Sequence, residues 1–169
     1  MNRWDSFFFK VAAAAAEQSL CLNRQIGAVL VRNKRIIATG YNGPPEGVPP
    51  CINRFDTDPA FAKEYRRQQQ SDEIMEELCP RRILGLGHGK GREWCPATHA
   101  EVNAVVNAAR MGVSSEGASL YLTCGLPCKN CLSVIINSGI TEVVCTSFEA
   151  HDDLTNWILT FSKLRVRTY

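Results

Sequence analysis

The chain has 169 residues, of which 45% are hydrophobic and 21% are charged, and these values are typical of one globular domain with a single core. Nineteen basic and seventeen acidic residues give a net charge of +2, which is too balanced for a protein that binds a long nucleic acid polymer. No apolar run approaches the ~20 residues that cross a membrane, and the first ten residues lack a secretory leader, so we expect a cytoplasmic protein with a small-molecule ligand.

The first part of the chain predicts one helix and a hairpin. Residues 4–18 favour a helix, because they contain Phe7, Phe8 and a run of five alanines, with Asp5 or Ser6 as the candidate cap. Short apolar runs at 26–31 and 35–40 follow, and the Asn33-Lys34 pair between them suits a tight turn. We therefore predict two antiparallel strands after the first helix.

The pattern becomes irregular between residues 41 and 94. Gly43-Pro44-Pro45 and Pro49-Pro50 interrupt this stretch, and only residues 59–78 form a polar helical candidate. Loops of this length in compact domains are usually functional or are held by additional bonds. We expect a single domain over 1–169 with an insertion at about 46–95, and we expect the insertion to have too little apolar content to fold alone.

The second half of the chain alternates helices and strands. Helices are predicted over 99–111, 128–138 and 153–162, and strands over 119–123, 142–147 and 164–168. The apolar face of the first of these helices is expected to consist of Val102, Val105, Val106 and Ala109. Such alternation produces parallel strands joined by right-handed crossovers. The predicted fold class is α/β, a three-layer α/β/α sandwich around a mixed sheet of about five strands.

His99, Cys128 and Cys131 have the residue types and spacing of three zinc ligands at the starts of two predicted helices. Three protein ligands leave a position for water, which is the arrangement of a catalytic zinc. Glu101 then lies where it can move protons to and from that water. The alternative, buried thiols with an ordinary first-turn glutamate, leaves the joint pattern unexplained, and a four-ligand structural zinc would leave Glu101 without a function.

His99-Ala100-Glu101, followed by Pro127-Cys128-Lys129-Asn130-Cys131, resembles the signature of the zinc-dependent nucleobase deaminases. The segment Gly40-Tyr41-Asn42-Gly43-Pro44-Pro45 is similar to the deoxycytidylate deaminase branch of the cytidine/deoxycytidylate deaminase family, and the resemblance covers nearly the whole chain. It implies hydrolytic deamination of dCMP to dUMP and ammonia, which supplies dUMP for thymidylate synthesis. Glu101 would transfer protons between water, the ring N3 and the leaving amine.

The resemblance also implies contacts to the base and sugar. The backbone N–H of Ala100 and the carbonyl of Thr123 or Gly125 would contact the pyrimidine edge. Asn42 would bind the sugar, and its alternative role is that of a turn residue before Gly43.

The candidate phosphate ligands are predicted from their position in the chain rather than from a motif. His151 follows a predicted strand on the side of the sheet where α/β proteins bind ligands. We favour His151 together with an arginine from the insertion, where Lys63, Arg66 and Arg67 are the available cations.

Three further cysteines fall in the irregular insertion, where a structural zinc would supply the missing stability. A fourth, Cys21, resembles in position a cysteine that joins such a site in some members of the branch. We therefore predict a second zinc with four cysteine ligands and His88 as a substitute. The four are Cys21, Cys51, Cys79 and Cys95. Inert thiols are the alternative, and Cys124 and Cys145 are expected in the core.

The resemblance further implies a homohexamer that dCTP activates and dTTP inhibits, each with Mg²⁺. The residues that stand where effector contacts are expected are Asn23, Arg24, Gln25, Asn42, Gly43 and Arg110. Arg110 has an alternative role as a cation at a helix C-terminus, and some members of the branch lack regulation.

Two other classes of function remain open. The zinc motif is shared by deaminases of other nucleosides, nucleotides and tRNA bases, and a non-catalytic zinc protein that binds a nucleotide is the second class. The balanced charge and the Gly-Tyr-Asn-Gly-Pro-Pro segment argue against a tRNA substrate. The presence of Glu101 argues against a non-catalytic protein, because binding alone does not need a general acid or base.

Overall fold

The computed structural model describes residues 3–69, 79–86, 90–150 and 152–169. The chain forms two compact units. The first unit comprises Met1–Ser19, Ile26–Asn42 and His99–Tyr169, and the second comprises Leu20–Gln25 and Gly43–Thr98. None of the described helices combines the length and apolar character that a membrane span requires.

The first unit is built on a five-stranded mixed sheet with the strand order β2-β1-β3-β4-β5. The strands are β1 (Gly27–Arg32), β2 (Arg35–Tyr41), β3 (Ser119–Leu122), β4 (Glu142–Cys145) and β5 (Arg165–Thr168). β1 is antiparallel to both β2 and β3, whereas β3, β4 and β5 are parallel. The mixed sheet predicted from the sequence is confirmed.

The hairpin between β1 and β2 follows from its turn residues. Asn33 and Lys34 have φ angles of 52° and 60°, so both lie in the left-handed region that a two-residue type I′ turn requires. This turn brings the two strands into register, with Arg32 opposite Arg35.

Seven α-helices are described. In chain order they are α1 (Arg3–Ala16), α2 (Arg54–Thr57), α3 (Pro59–Gln69), α4 (Pro80–Ile83), α5 (Ala100–Arg110), α6 (Lys129–Asn137) and α7 (Asp153–Phe161). Single 3₁₀ turns occur at Cys51–Asn53 and Arg92–Trp94. The helices of the first unit confirm the predicted ones to within two residues at each end, and the short helices α2 and α4 were not predicted.

The helices cover both faces of the sheet. On one face α1 places Phe8, Phe9 and Ala12 against a cluster of strand residues, which are Val29, Val31, Tyr121 and Val144. On the other face α5 and α6 pack against the alternate strand residues, which are Ala28, Leu30, Leu120, Leu122 and Val143. This alternation is that of strands buried on both faces, and it gives the predicted α/β/α sandwich.

The face by which α5 packs matches the prediction in part, because the predicted Val102 and Val105 are partly buried against the core. Its fully buried residues are Ala100, Glu101, Ala104 and Ala108, whereas Val106 is 45% exposed and Ala109 is also exposed. The cause is the close approach of α5 to β2, where Gly40 contacts the backbone of the helix. Side chains larger than alanine do not fit between elements this close, so the valines lie at the sides of the helix.

Asp5 serves as an ion-pair residue rather than as the predicted cap, because α1 already begins at Arg3. Its carboxylate accepts hydrogen bonds from Tyr121 Oη at 2.8 Å and from Arg167 Nη1 and Nη2 at 2.9 and 2.7 Å. Arg167 Nε also donates to Glu142 at 2.8 Å. The hydrogen bond from Arg167 lowers the pKa of Asp5, and the group ties α1 to three strands.

The second unit has an apolar cluster that the sequence pattern did not indicate. Phe61, Tyr65 and Leu84 are buried together, with four partly buried residues around them, which are Phe55, Ile83, Leu86 and Trp94. Arg54 lies over the rings of Phe61 and Trp94 at 5.4 and 5.8 Å and pairs with Asp58 at 2.8 Å. Cation–π contacts of this kind add to the small apolar core.

The contact between β2 and α5 generates the first prediction. A Cβ atom at Gly40 would lie 2.5 Å from the carbonyl oxygen of Ala100 and closer still to the backbone nitrogen of Ala104. Gly40→Ala is therefore expected to lower the free energy of unfolding by about 3 kcal/mol, because neither backbone can move without displacing the helix. Urea titration measures this change. Thr39→Ala, at an exposed position on the same strand, is the control and should change stability by less than about 1 kcal/mol.

Candidate metal centre

The centre lies at the N-termini of α5 and α6. His99 and Cys128 are the N-cap residues of these helices, with extended ψ angles of 152° and 162°. Cys131 is one turn into α6 and Glu101 is the second residue of α5. Because helix N-termini favour negative charge, they suit the thiolates of Cys128 and Cys131 and the carboxylate of Glu101.

His99, Cys128 and Cys131 have the geometry of metal ligands. The Nδ1 atom of His99 lies 3.3 Å from Cys131 Sγ and 3.8 Å from Cys128 Sγ. All three ligand atoms lie within 4.8 Å of one another. Tetrahedral zinc, with Zn–N near 2.1 Å and Zn–S near 2.3 Å, places nitrogen and sulfur about 3.6 Å apart. The three residues therefore fit a zinc ion with one coordination position left for a non-protein ligand.

The thiols of Cys128 and Cys131 are hydrogen-bonded to each other. Hydrogen bonding from Cys131 lowers the pKa of Cys128 to about 3, and the same bond raises the pKa of Cys131. The lowered pKa of Cys128 favours its thiolate, which is the form that binds a cation.

Glu101 lies beside the ligands and is nearly inaccessible, at 4% exposure. Burial raises the pKa of its carboxyl group, and His99 and both cysteines act on it electrostatically or by hydrogen bonding. A carboxyl group that holds its proton at a higher pH than free glutamate is suited to general acid and base chemistry near neutrality.

The loops after β3 and β4 meet close to Cys128. The N–H of Thr146 donates to the carbonyl of Cys124 at 2.9 Å, and a Cβ at Gly125 would lie 2.5 Å from Ser147 Oγ. The Thr123 hydroxyl accepts from the N–H of Gly27 at 2.9 Å, which fixes the end of β3 to β1.

Asn42 is buried, and hydrogen bonds to its side-chain oxygen Oδ1 hold it in place. Its Oδ1 atom accepts from Ile26 N at 2.7 Å and from Ser19 Oγ at 2.9 Å, and its backbone N–H donates to the Ile26 carbonyl at 3.1 Å. These bonds fix the orientation of the side-chain amide. The hydroxyl of Ser19 was not among the residues singled out from the sequence.

The other predicted site residues are distributed as follows. Asn23, Arg24 and Gln25 are exposed residues of the second unit, to which Gly43 also belongs. Arg110 is exposed at the last residue of α5 in the first unit. His88 and His151 lie outside the described residues.

The four cysteines predicted to bind a second zinc all belong to the second unit. The pKa of Cys51 is raised to about 11, chiefly by burial and then by the charges of Cys95, Cys79 and Cys21. Cys51 is therefore close enough to interact with each of the other three thiols. They are less tightly grouped than the first site, because His99, Cys128 and Cys131 are the one set among the described residues whose ligand atoms lie within 4.8 Å.

Comparison with known proteins gives one family. The family described as the cytidine and deoxycytidylate deaminase zinc-binding region matches residues 2–147. The chain is 34% identical to a deoxycytidylate deaminase of Schizosaccharomyces pombe over 98% of its own length and 44% of that protein. It is 35% identical to a deoxycytidylate deaminase of Mycobacterium phage D29, covering 83% of the chain and 92% of the relative.

The fold is also that of a solved structure. The dCMP deaminase of cyanophage S-TIM5, in complex with dCMP and dUMP, superposes with a TM-score of 0.68 at 22% identity, covering 100% of this chain and 99% of that one. The chain spans less than half the length of the S. pombe relative and nearly the whole length of the two phage proteins.

The metal site generates the second prediction. Cys128→Ala is expected to lose about one zinc ion per chain relative to the wild type, because two remaining ligands hold zinc poorly. Glu101→Gln is the matched control and should keep the wild-type zinc content, since the carboxylate is not one of the three ligands. Inductively coupled plasma mass spectrometry of the purified proteins measures both. Equal zinc contents in Cys128→Ala and the wild type would contradict the assignment.

Proposed function

The chain belongs to the cytidine and deoxycytidylate deaminase zinc-binding family, and we propose that it catalyses the hydrolytic deamination of dCMP to dUMP and ammonia. The observation that carries this proposal is the buried Glu101 beside the three metal ligands His99, Cys128 and Cys131. The choice of dCMP is supported by the relatives, which are named deoxycytidylate deaminases. By supplying dUMP, this reaction would serve thymidylate synthesis.

The three ligands would hold zinc, which lowers the pKa of a bound water toward neutrality. Glu101 takes a proton from the attacking water and delivers it to the ring N3 of the substrate. The water oxygen bonds to C4, and Glu101 takes a second proton from that oxygen and passes it to the amino group, so the C4–N bond breaks and ammonia leaves. The raised pKa of Glu101 supports this shuttle, because the group must release its proton as readily as it accepts one.

Recognition of the pyrimidine is assigned to backbone groups at the same edge of the sheet. Ala100 is the first residue of α5, and its N–H has no partner within the helix, so it is suited to donate to the base. The carbonyl of Thr123 or Gly125 accepts from the amino group. Asn42 donates its fixed amide to the sugar, and the bonds from Ser19 and Ile26 support this role.

The phosphate is assigned to His151 and to an arginine of the insertion. Arg66 and Arg67 are the candidates on α3, where Arg67 pairs with Glu64 and Arg66 lies 5.0 Å from the Phe55 ring. Arg66 is the better candidate, since no carboxylate competes for it in the described part of the chain.

A second, structural zinc in the insertion at about 46–95 of a single 1–169 domain belongs to the same proposal. Its ligands would be Cys21, Cys51, Cys79 and Cys95, with His88 as the substitute. The interaction of Cys51 with each of the other three thiols supports this set. A bound zinc would draw the four sulfurs together and add the stability that a small aromatic cluster does not supply alone.

We further assign to the protein a cytoplasmic location and a homohexameric state regulated by dCTP as activator and dTTP as inhibitor, each with Mg²⁺. The exposed Asn23, Arg24, Gln25 and Arg110 support effector contacts, because cationic and amide side chains suit triphosphates. Asn42 and Gly43 complete the assigned set.

The third prediction concerns catalysis. Glu101→Gln is expected to lower kcat for dCMP by about 10³-fold while zinc is retained, because glutamine cannot move a proton. Glu17→Gln removes an equally charged but exposed side chain and should keep wild-type activity. The loss of dCMP absorbance measures turnover. Wild-type activity in Glu101→Gln would overturn the assigned mechanism.

The substrate is tested with a panel of dCMP, cytidine, dCTP and an adenosine-containing RNA, each with and without dTTP. Turnover of dCMP above the other three supports the proposal. A zinc-loaded protein that leaves dCMP unchanged would refute it, whereas turnover of another compound in the panel would retain the deaminase and reassign its substrate.

The fourth prediction concerns the second zinc. The wild-type protein is expected to contain about two zinc ions per chain, and Cys51→Ser about one, with a lower melting temperature. Cys128→Ala is the comparison, because it removes the other ion and leaves the insertion intact. A reproducible value of about one zinc in the wild type would refute the second site.

A further inference from the structure

A cavity of about 450 Å³ lies at the edge of the sheet where β3, β4 and β5 begin. Its walls come from Trp4 and Phe8 of α1, from the turn between β1 and β2, and from the first residues of the three parallel strands. Cys128 and Cys131 follow the opposite ends of these strands, so the cavity is separate from the metal centre. Its volume is within the range of about 300–1,000 Å³ that small-molecule sites have.

The inner wall of the cavity is a network of ion pairs in which both carboxylates are paired with arginines. Asp5 and Glu142 are both buried, and both bind Arg167. Glu142 also accepts from Ser119 at 2.8 Å and pairs with Arg165 at 2.8 Å. Since both carboxylates are neutralised by these partners, they neither attract a cation nor strongly repel an anion.

The cavity has more cations than anions. Four cationic side chains line it, which are Arg32, Lys34, Arg165 and Arg167, against the two carboxylates. Arg165 is 72% exposed despite its pair. Arg32 donates to the carbonyls of Ser114 and Glu116, and no ion pair of Arg32 or Lys34 occurs among the residues that the structure describes. Because Arg165 and Arg167 balance Asp5 and Glu142, the excess of two positive charges belongs to Arg32 and Lys34, and this excess favours an anionic ligand.

The cations form two groups at different positions along the sheet. Arg32 and Lys34 belong to the end of β1 and its turn, where Lys34 lies 5.7 Å from the Trp4 ring, and Arg165 belongs to β5. The strand order places β3 and β4 between them, so the strands that carry the two groups are three strand spacings, or about 14 Å, apart. One phosphate cannot contact both groups, whereas a chain of phosphates is long enough when the side chains turn inward.

We propose that this cavity binds a small ligand that carries a chain of phosphate groups, one end at Lys34 and Arg32 and the other at Arg165. Arg165 contributes hydrogen-bond donors rather than excess charge, because its pair with Glu142 uses one nitrogen of a side chain that is 72% exposed, whereas Lys34 contributes a point charge. Both inorganic polyphosphate and a nucleoside polyphosphate have this chemistry. The inference is independent of the reaction at the metal centre.

Calorimetric titration of the full chain at 0.15 M salt tests the proposal with phosphate, tripolyphosphate and ATP. Tripolyphosphate is expected to bind at least about tenfold more tightly than phosphate, because it reaches both groups of cations. Tighter binding of ATP than of tripolyphosphate identifies a nucleotide as the ligand, and the reverse identifies free polyphosphate. No saturable binding of either compound overturns the proposal.

The variant Lys34→Ala/Arg165→Ala is expected to weaken binding of tripolyphosphate at least about tenfold. Lys10→Ala/Lys163→Ala removes the same charge from exposed positions outside the cavity and should bind as the wild type does. Lys34→Ala alone breaks no described ion pair and should still weaken binding about threefold or more, which separates lost binding from lost folding. Equal affinities in the cavity variant and its control would overturn the assignment.

Discussion

The close contact between β2 and α5 is the constraint on which the metal centre depends. Gly40 removes the side chain that would separate strand and helix, and Ala100 and Ala104 do the same from the helix. Asn103 and Asn107 of α5 donate to the backbone carbonyls of Tyr41 and Thr39 at 2.7 and 2.8 Å, which holds the helix along the edge strand. Because His99 and Glu101 stand at the first turn of this helix, its position determines where they meet the cysteines.

The second half of the site is placed by the sheet rather than by the helix alone. β1 is antiparallel to β3, so the start of β1 and the end of β3 lie at one edge, where Thr123 bonds to Gly27. The loop that follows carries Cys128 to the start of α6, and the contact of Gly125 with Ser147 sets its path. Ligands from chain segments 29 residues apart therefore converge without a long flexible loop between them.

The sequence was sufficient for features whose signal is local. Such features include the Asn33-Lys34 turn and the alternating strands. They also include the two short motifs that carry His99 and the cysteines Cys128 and Cys131, because each motif consists of residues that are neighbours in the chain. The alanine face of α5 could not be predicted, because it depends on how close a strand approaches. The ion-pair role of Asp5 depends on Arg167, which is 162 residues away, and hydrophobic periodicity cannot indicate such a pair. The aromatic cluster of the second unit has the same cause, since it joins residues from three separate short helices and a turn.

The effect of Glu101 on folding stability differs from the effect of its proposed role in catalysis. Its buried carboxyl group has a raised pKa, so ionising it near neutral pH opposes folding, and an apolar residue in its place would favour the core around Ala100 and Ala104. Asp5 is the opposite case, because Arg167 lowers its pKa and its charge favours folding above the acidic range. A buried acid that destabilises the fold needs another reason for its presence. Its place beside three residues that fit zinc agrees with the proton transfer proposed for it, because such a role requires an ionisable group.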